Sequence, residues 1–272
     1  GASGIEPLLS FSDLAGEDWE MNFSVLRREA GHLIRKAQGL LLLEDTCLSL
    51  GARYGDDYGG TMGQAGTLSF HPRKILTTGE GGMVITHDEA IAEKVEQYRN
   101  YGSDISARSR HKGVYYKLSH YPLLGYNFKL TDLQGSIGLA QMDKLDGFIE
   151  RRRAIGARYD ELLAGLDGLR TPTIKGRSDH VYQSYVCSLV GEAEGRRDGL
   201  LRFLLERGIS AVQGAVHVAK TDFYQRTFHV RGEDCPEALR ADESSVALPI
   251  FPQMTEEQVE RVAAAVREYL GQ

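Results

Sequence analysis

Residues 67–86 read TLSFHPRKILTTGEGGMVIT. Two short apolar runs with β character, Thr67–Phe70 and Met83–Thr86, enclose a turn-rich segment in which Lys74 stands among small, hydroxylic and glycine residues. A solvated lysine needs no such setting. A lysine that serves as a covalent anchor must be held in place, kept accessible to a carbonyl and surrounded by backbone that can approach closely. Spacing alone leaves two readings open. One is a glycine-rich β-turn beside an ordinary surface lysine. The other is an anion cradle of Ser69, neighbouring hydroxyls and open amides, flanked by Gly63, Gly66, Gly79, Gly81 and Gly82.

Upstream, residues 21–38 place Phe23, Leu26, Ala30, Leu33 and Ile34 at helical spacing, and Leu40–Leu43 form an apolar run closed by Glu44 and Asp45. This predicts a helix feeding a buried strand with an acid at its carboxyl end. Asp45 then either faces the crevice in which open α/β sheets bind ligands or caps the following turn. Downstream, Asp88 is the expected N-cap of a helix to about Arg99. The alternation of helices and strands defines an α/β domain.

Residues 101–127 read as a long loop, of the length usually reserved for function or disorder. Thr131 then caps what the pattern predicts to be one continuous helix over residues 131–166, with an apolar stripe of Leu133, Ile137, Ala140, Leu145, Ile149 and Ile155. A helix of that length bridges two domains. Beyond it the spacing predicts a strand at Tyr185–Val190, a helix at Arg197–Arg207 stopped by Gly208, a strand at Ile209–Val212 and a final helix at Thr255–Leu270. The expected division is a large domain over residues 1–150 and a smaller C-terminal α/β domain over residues 151–272.

With 272 residues and 42% hydrophobic content the chain can bury a sizeable core. A net charge of -6 advertises no basic surface for nucleic acid. No apolar run approaches the roughly 20 residues needed to cross a bilayer, and no signal-peptide pattern opens the chain, so the expectation is a cytoplasmic protein with no membrane partner. Three cysteines without CxxC spacing, Cys47, Cys187 and Cys235, fit reduced thiols, with Cys47 read as a buried small hydrophobe. There is no HExxH, GxSxG, EF-hand, Walker or GxGxxG spacing, which excludes metal, serine-hydrolase, calcium and dinucleotide-fingerprint readings.

Five segments taken together, LLLEDTCLSLGARY (41–54), GTMGQAGTLSFHPRKILTTGEGGMVITHDEAIAEKVEQYRNYG (60–102), LGYNFKLTDLQGSIGLAQMDKLDGFIERRRAIGARYDELL (124–163), GISAVQGAVHVAKTDFYQR (208–226) and SVALPIFPQMTEEQVERVAAAV (245–266), resemble in order and spacing the DegT/DnrJ/EryC1/StrS family of pyridoxal-phosphate-dependent nucleotide-sugar aminotransferases. The resemblance implies an aspartate-aminotransferase-like (type I) fold, with a large domain around a mostly parallel sheet and a small C-terminal domain, assembled as a homodimer with shared active sites. It implies transfer of an amino group, usually from glutamate, to a keto group of a nucleotide-linked deoxysugar in amino-sugar, polysaccharide or glycoside biosynthesis. On the matched motifs, Lys74 would carry pyridoxal 5'-phosphate as a Schiff base and move protons, and Asp45 would pair with the pyridine nitrogen. Ser69 would bind the phosphate, and Asn127 of the GYN motif would reach the phosphate of the partner subunit.

His71 and His217 match positions that would contact substrate, and Glu80 lies within the lysine motif. Leu48 stands where the family often has a polar residue near the cofactor ring, and Lys129 replaces the arginine common after GYN, keeping the charge without the planar fork. Only 44 residues precede Asp45, and neither the family's Gly-Thr phosphate loop nor its ring-stacking aromatic is found among them, so the N-terminal region reads as truncated relative to the family. Two alternatives accompany this reading. One is a sugar dehydratase of the same family, in which histidine takes the lysine position, and against which Lys74 argues; the other is a non-catalytic homologue that binds a nucleotide sugar or a protein.

Overall fold

The structure, a computed structural model, describes residues 41–104, 119–174 and 176–272. The helix predicted at 21–38 and the middle of the long loop lie outside the described residues. The apolar run upstream of Asp45 becomes strand β1 (Leu43–Asp45), followed by two short strands, β2 (Arg53–Tyr54) and β3 (Asp57–Tyr58), and then β4 (Ala65–Ser69) and β5 (Gly82–Thr86). β1 runs parallel to β4 with Asp45 opposite Thr67, and β5 pairs antiparallel to β4 on its other side. The parallel pair makes Asp45 and Ser69 end on the same side of the sheet. Helix α1 (Glu89–Arg99) follows, and its N-cap is the expected one: Asp88 accepts from the amides of Ala90 and Ile91.

The continuous helix expected over residues 131–166 is two helices, α2 (Asp132–Met142) and α3 (Leu145–Leu162). Lys144 sits at φ -109, ψ -5, away from helical values, and its amide bonds back only three residues, to Gln141 O at 3.0 Å. The stripe explains the break. Leu145, Ile149 and Ile155 are buried, whereas Leu133 is 79% and Ile137 50% exposed, so the two halves of the stripe face different surroundings.

The main core lies in the C-terminal part. Strands β6 (Leu169–Arg170), β8 (Tyr185–Leu189), β9 (Val212–Gln213) and β10 (Ser245–Leu248) form an antiparallel sheet in the order β6-β8-β10-β9, and β7 (Ser178–Asp179) joins β2 in a separate small sheet. Helices α4 (Arg197–Glu206), α5 (Asp222–Phe228) and α6 (Pro236–Ser244) precede the last helix, α7 (Glu256–Leu270), which opens with a capping box of Thr255 and Gln258. Ile155 and Tyr159 of α3, Leu200 and Leu204 of α4, and Val259, Val262 and Val266 of α7 pack with Tyr185, Leu189 and Val246 of the sheet. Burying each aliphatic side chain of this size stabilises by about 1.5–3 kcal/mol.

The strand expected at Ile209–Val212 begins only at Val212. Gly208, at φ +70, ends α4 in a left-handed turn, donating to Leu205 O while Ile209 donates to Leu204 O. This Schellman closure takes up the Ile209 amide, so it cannot join a ladder. Cys187 is buried and Cys235 exposed; Cys47 is half-buried rather than fully buried, its thiol lying 3.6 Å from Thr67 Oγ1.

Candidate active site

Lys74 lies five residues beyond the end of β4, in a turn closed by its own amide donating to His71 O at 2.9 Å. Its side chain is half-buried, and among the described residues its amine makes no hydrogen bond or ion pair. Asp45 stands exposed at the end of β1, accepting from the Cys47 amide at 3.1 Å. Asp45 therefore caps the following turn from the carboxyl end of β1. The Cys47 thiol and amide, and then the nearby charge of Lys74, outweigh burial and hold its carboxyl below the usual carboxylate range. An ionised carboxylate and an unpaired lysine thus meet at the C-terminal end of a parallel strand pair.

Ser69 Oγ at the end of β4 accepts from the His71 amide at 3.4 Å, a long contact that leaves the hydroxyl able to bind a ligand. His71 is beside Lys74 in sequence and space, but its Nδ1 accepts from the Arg73 amide at 3.2 Å, which gives it a turn-forming role. The remaining hydroxyls differ from the expected cradle. Thr77 Oγ1 donates to Phe70 O at 2.9 Å and Thr78 Oγ1 to Glu80 O at 2.8 Å, so both close the loop on itself. Gly81, at φ +156, accepts the Phe70 amide where a Cβ would lie 2.7 Å from Thr78 Oγ1; here glycine serves the turn. Glu80 contributes its backbone carbonyl, and Leu48 is exposed near the Asp45 end.

Three glutamines hold this loop, and the spacing of the sequence contained no signal for them. Gln183 accepts from the Ile75 amide at 3.0 Å and donates to Arg73 O at 2.7 Å. Gln141 of α2 accepts from the Thr77 amide at 3.2 Å and donates to Thr77 O at 2.6 Å, and Gln134 donates to Glu80 O at 2.8 Å. Glu44 was equally unforeseen as a scaffold: its carboxylate accepts from the amides of Gly60, Met62 and Gly63 at 2.9, 2.7 and 2.6 Å.

Asn127 and His217 make no hydrogen bond to this group among the described residues. Asn127 is exposed and bridges Asn100 at the end of α1, where Lys129 Nζ donates to Asn100 Oδ1 at 3.2 Å and sits 4.2 Å from the Tyr101 ring centre. Lys129 thus replaces a planar fork with a point charge over an aromatic face. His217 is buried, its amide donating to Asp242 at 2.9 Å and its Nε2 lying 3.0 Å from Gly232 O. Among the described residues no hydrogen bond or ion pair joins His217 to Lys74 or Asp45. No group of three or more His, Cys, Asp or Glu among the described residues is placed to hold a metal ion, and no helix is long and apolar enough to cross a membrane.

The chain thus presents a parallel strand pair ending in an acid and a serine, followed by a loop whose lysine is unpaired among the described residues. The chain aligns along most of its length with solved aminotransferases; with DesV of S. venezuelae, solved in complex with a ketimine intermediate, it shares 29% identity and a TM-score of 0.80 over 91% of this chain and 62% of that one. The chain belongs to the DegT/DnrJ/EryC1/StrS aminotransferase family, whose sequence profile matches residues 29–267. Similar curated proteins include the GDP-perosamine synthase of Caulobacter vibrioides, 30% identical over 87% of this chain and 61% of the relative. Another is the UDP-N-acetyl-3-dehydro-alpha-D-glucosamine 3-aminotransferase of Acidithiobacillus ferrooxidans, 30% identical over 87% of this chain and 59% of the relative. The chain spans between 55% and 74% of the length of such relatives, and 61–62% of three of the most similar.

Proposed function

We propose that this chain carries the lysine, aspartate and serine of a pyridoxal-phosphate-dependent aminotransferase acting on a keto group of a nucleotide-linked deoxysugar, with glutamate as the amino donor. The observation that carries the reading is the convergence of Asp45, Ser69 and an unpaired, half-buried Lys74 at one end of the β1–β4 pair. The donor set fits the cofactor. The ionised Asp45 suits a protonated pyridine nitrogen, Ser69 Oγ suits a phosphate oxygen, and the free amine of Lys74 suits a carbonyl carbon.

When bound, pyridoxal phosphate supplies an electron sink for a carbanion at the substrate carbon. The chain's own residues do the rest. Lys74 anchors through Nζ and, once released, carries a proton on that nitrogen between neighbouring carbons. Asp45 keeps its negative charge because the Cys47 thiol and amide favour it, and so stabilises a proton held opposite. The names of relatives that act on GDP- and UDP-linked sugars support the substrate class.

Borohydride treatment of the protein mixed with pyridoxal phosphate tests the reading. Loss of a visible absorbance band with the label mapped to Lys74 is the expected result; a band that cannot be trapped at Lys74 turns the reading to the dehydratase, and no band at all to the non-catalytic homologue. We further propose a homodimer, supported by the exposed Leu124 and Phe128 near Asn127 in sequence and by the exposed Leu133 and Leu139 of α2, which light scattering would show as twice the chain mass. The division at residue 150 into a large and a small domain is supported by the separate sheets on its two sides, although α3 and the β2–β7 pairing cross it. A cytoplasmic location is proposed with the same activity.

A further inference from the structure

We propose that Gln183 is the positioning residue for Lys74. Its amide holds the two peptide groups that flank the lysine, accepting from Ile75 N–H and donating to Arg73 C=O across 108 and 110 residues of sequence. One planar side chain thereby takes the place of a paired strand and fixes the backbone torsions from which the lysine side chain departs. A lysine on a loop would otherwise sample several such directions, and the effective concentration of its amine at a carbonyl falls with each one.

The support behind Gln183 is built to the same end. Tyr182, immediately before it, is a buried aromatic at φ +46, a left-handed conformation that costs energy for any bulky side chain. Two features maintain it. Arg152, buried in α3, donates through Nη1 to the carbonyls of Tyr182 at 2.8 Å, Gln183 at 3.3 Å and Ile250 at 3.2 Å. Gly156, one helical turn further along α3, leaves room for the Tyr182 ring, which would lie 2.8 Å from any Cβ there. Strain, a buried cation and a glycine vacancy in α3 combine to present one amide to the lysine loop. The direction of Lys74 is therefore set from the C-terminal half of the chain.

The inference rests on Lys74 being the cofactor anchor, and its test reports separately on that reading. Three quantities are compared in the wild type, Gln183→Ala and Gln183→Glu: hydrogen exchange of the Ile75 amide, labelling of Lys74 by a small amine-reactive reagent without cofactor, and borohydride trapping of pyridoxal phosphate on Lys74. In Gln183→Ala we expect Ile75 exchange to rise about tenfold or more with α7 exchange unchanged, and Lys74 labelling and trapping to fall about tenfold. In Gln183→Glu a carboxyl that regains its proton can again donate to Arg73 C=O, so both Lys74 readouts, each divided by the wild-type value at the same pH, should recover as pH falls from about 8 to about 4, and those of Gln183→Ala measured alongside should not. Faster Ile75 exchange with Lys74 labelling unchanged would overturn the proposal, as would no change in either. A wild type that traps no cofactor, but whose Lys74 labelling still falls in Gln183→Ala, would remove the cofactor reading and leave the positioning role standing.

Discussion

Asp242 and Lys220 form an ion pair at 2.9 Å in which the carboxylate is mostly buried and the ammonium partly exposed. The same carboxylate accepts from the His217 amide at 2.9 Å and from Gln213 Nε2 at 2.7 Å, tying β9 and the segment after it to α6. Burial raises the Asp242 pKa, but the hydrogen bonds from Lys220 and His217 outweigh it, and the net direction is down. A depressed acid contributes stability that is present above its unfolded value and lost as pH falls through the folded one. Asp242→Ala should therefore cost about 2–3 kcal/mol near neutrality, with the gap to wild type closing below about pH 3.9 in urea titrations.

Glu44 collects three amides of the 60–63 loop, donors that have no ladder to join. Replacement by alanine should cost about 2–4 kcal/mol in thermal or chemical denaturation. Glutamine, which keeps one acceptor oxygen, should recover part of this. Retention of stability in Glu44→Ala would show that water replaces the carboxylate at little cost.

Lys74→Ala should abolish trapping of pyridoxal phosphate and lower amino transfer by at least about a hundredfold. Because the Lys74 amine makes no hydrogen bond or ion pair among the described residues, the melting temperature without cofactor should stay close to wild type. Normal turnover by the variant would end the proposed mechanism.

Tyr185 is fully buried and donates to Asp160 at 2.5 Å. Burial pushes the Asp160 pKa up, and the Tyr185 and Tyr182 hydrogen bonds pull it partly back. An acid with a raised folded pKa holds its proton longer in the native state, so its cost to stability grows as pH rises through that window. Tyr185→Phe removes the opposing hydrogen bond and should cost about 1.5–3 kcal/mol at neutral pH. The loss should shrink in acid, where Asp160 is protonated, as denaturation at two pH values would report.

The parts of this fold that rest on local pattern were legible in the sequence. Asp88 and Thr255 announce helix starts through short-range capping, and β1, β4 and β8 announce themselves as apolar runs between turn residues. The candidate site residues were proposed in a different way, through the ordered likeness of Asp45, Ser69 and Lys74 to one family. Contacts that depend on tertiary placement left no trace. Gln183 meets the lysine loop from more than a hundred residues away, and no periodicity marks it. The break at Lys144 escaped notice because its apolar spacing stays regular while the surroundings of the two helix halves differ. His217 matched a motif, and its interior partners, Gly232 O at the ring and Asp242 at the backbone amide, left no trace in the spacing.

Among the described residues, the side chains that reach the loop from residue 73 to residue 80 from distant parts of the fold are carboxamides, Gln134, Gln141 and Gln183, while within the turn His71 Nδ1 accepts from the Arg73 amide. A carboxamide neither gains nor loses a proton across the range in which enzymes work. The three long-range grips on the Lys74 loop are thus proton-silent, and acid or alkali leaves them unaltered. Any bell-shaped dependence of amino transfer on pH would then carry no contribution from these three long-range contacts loosening.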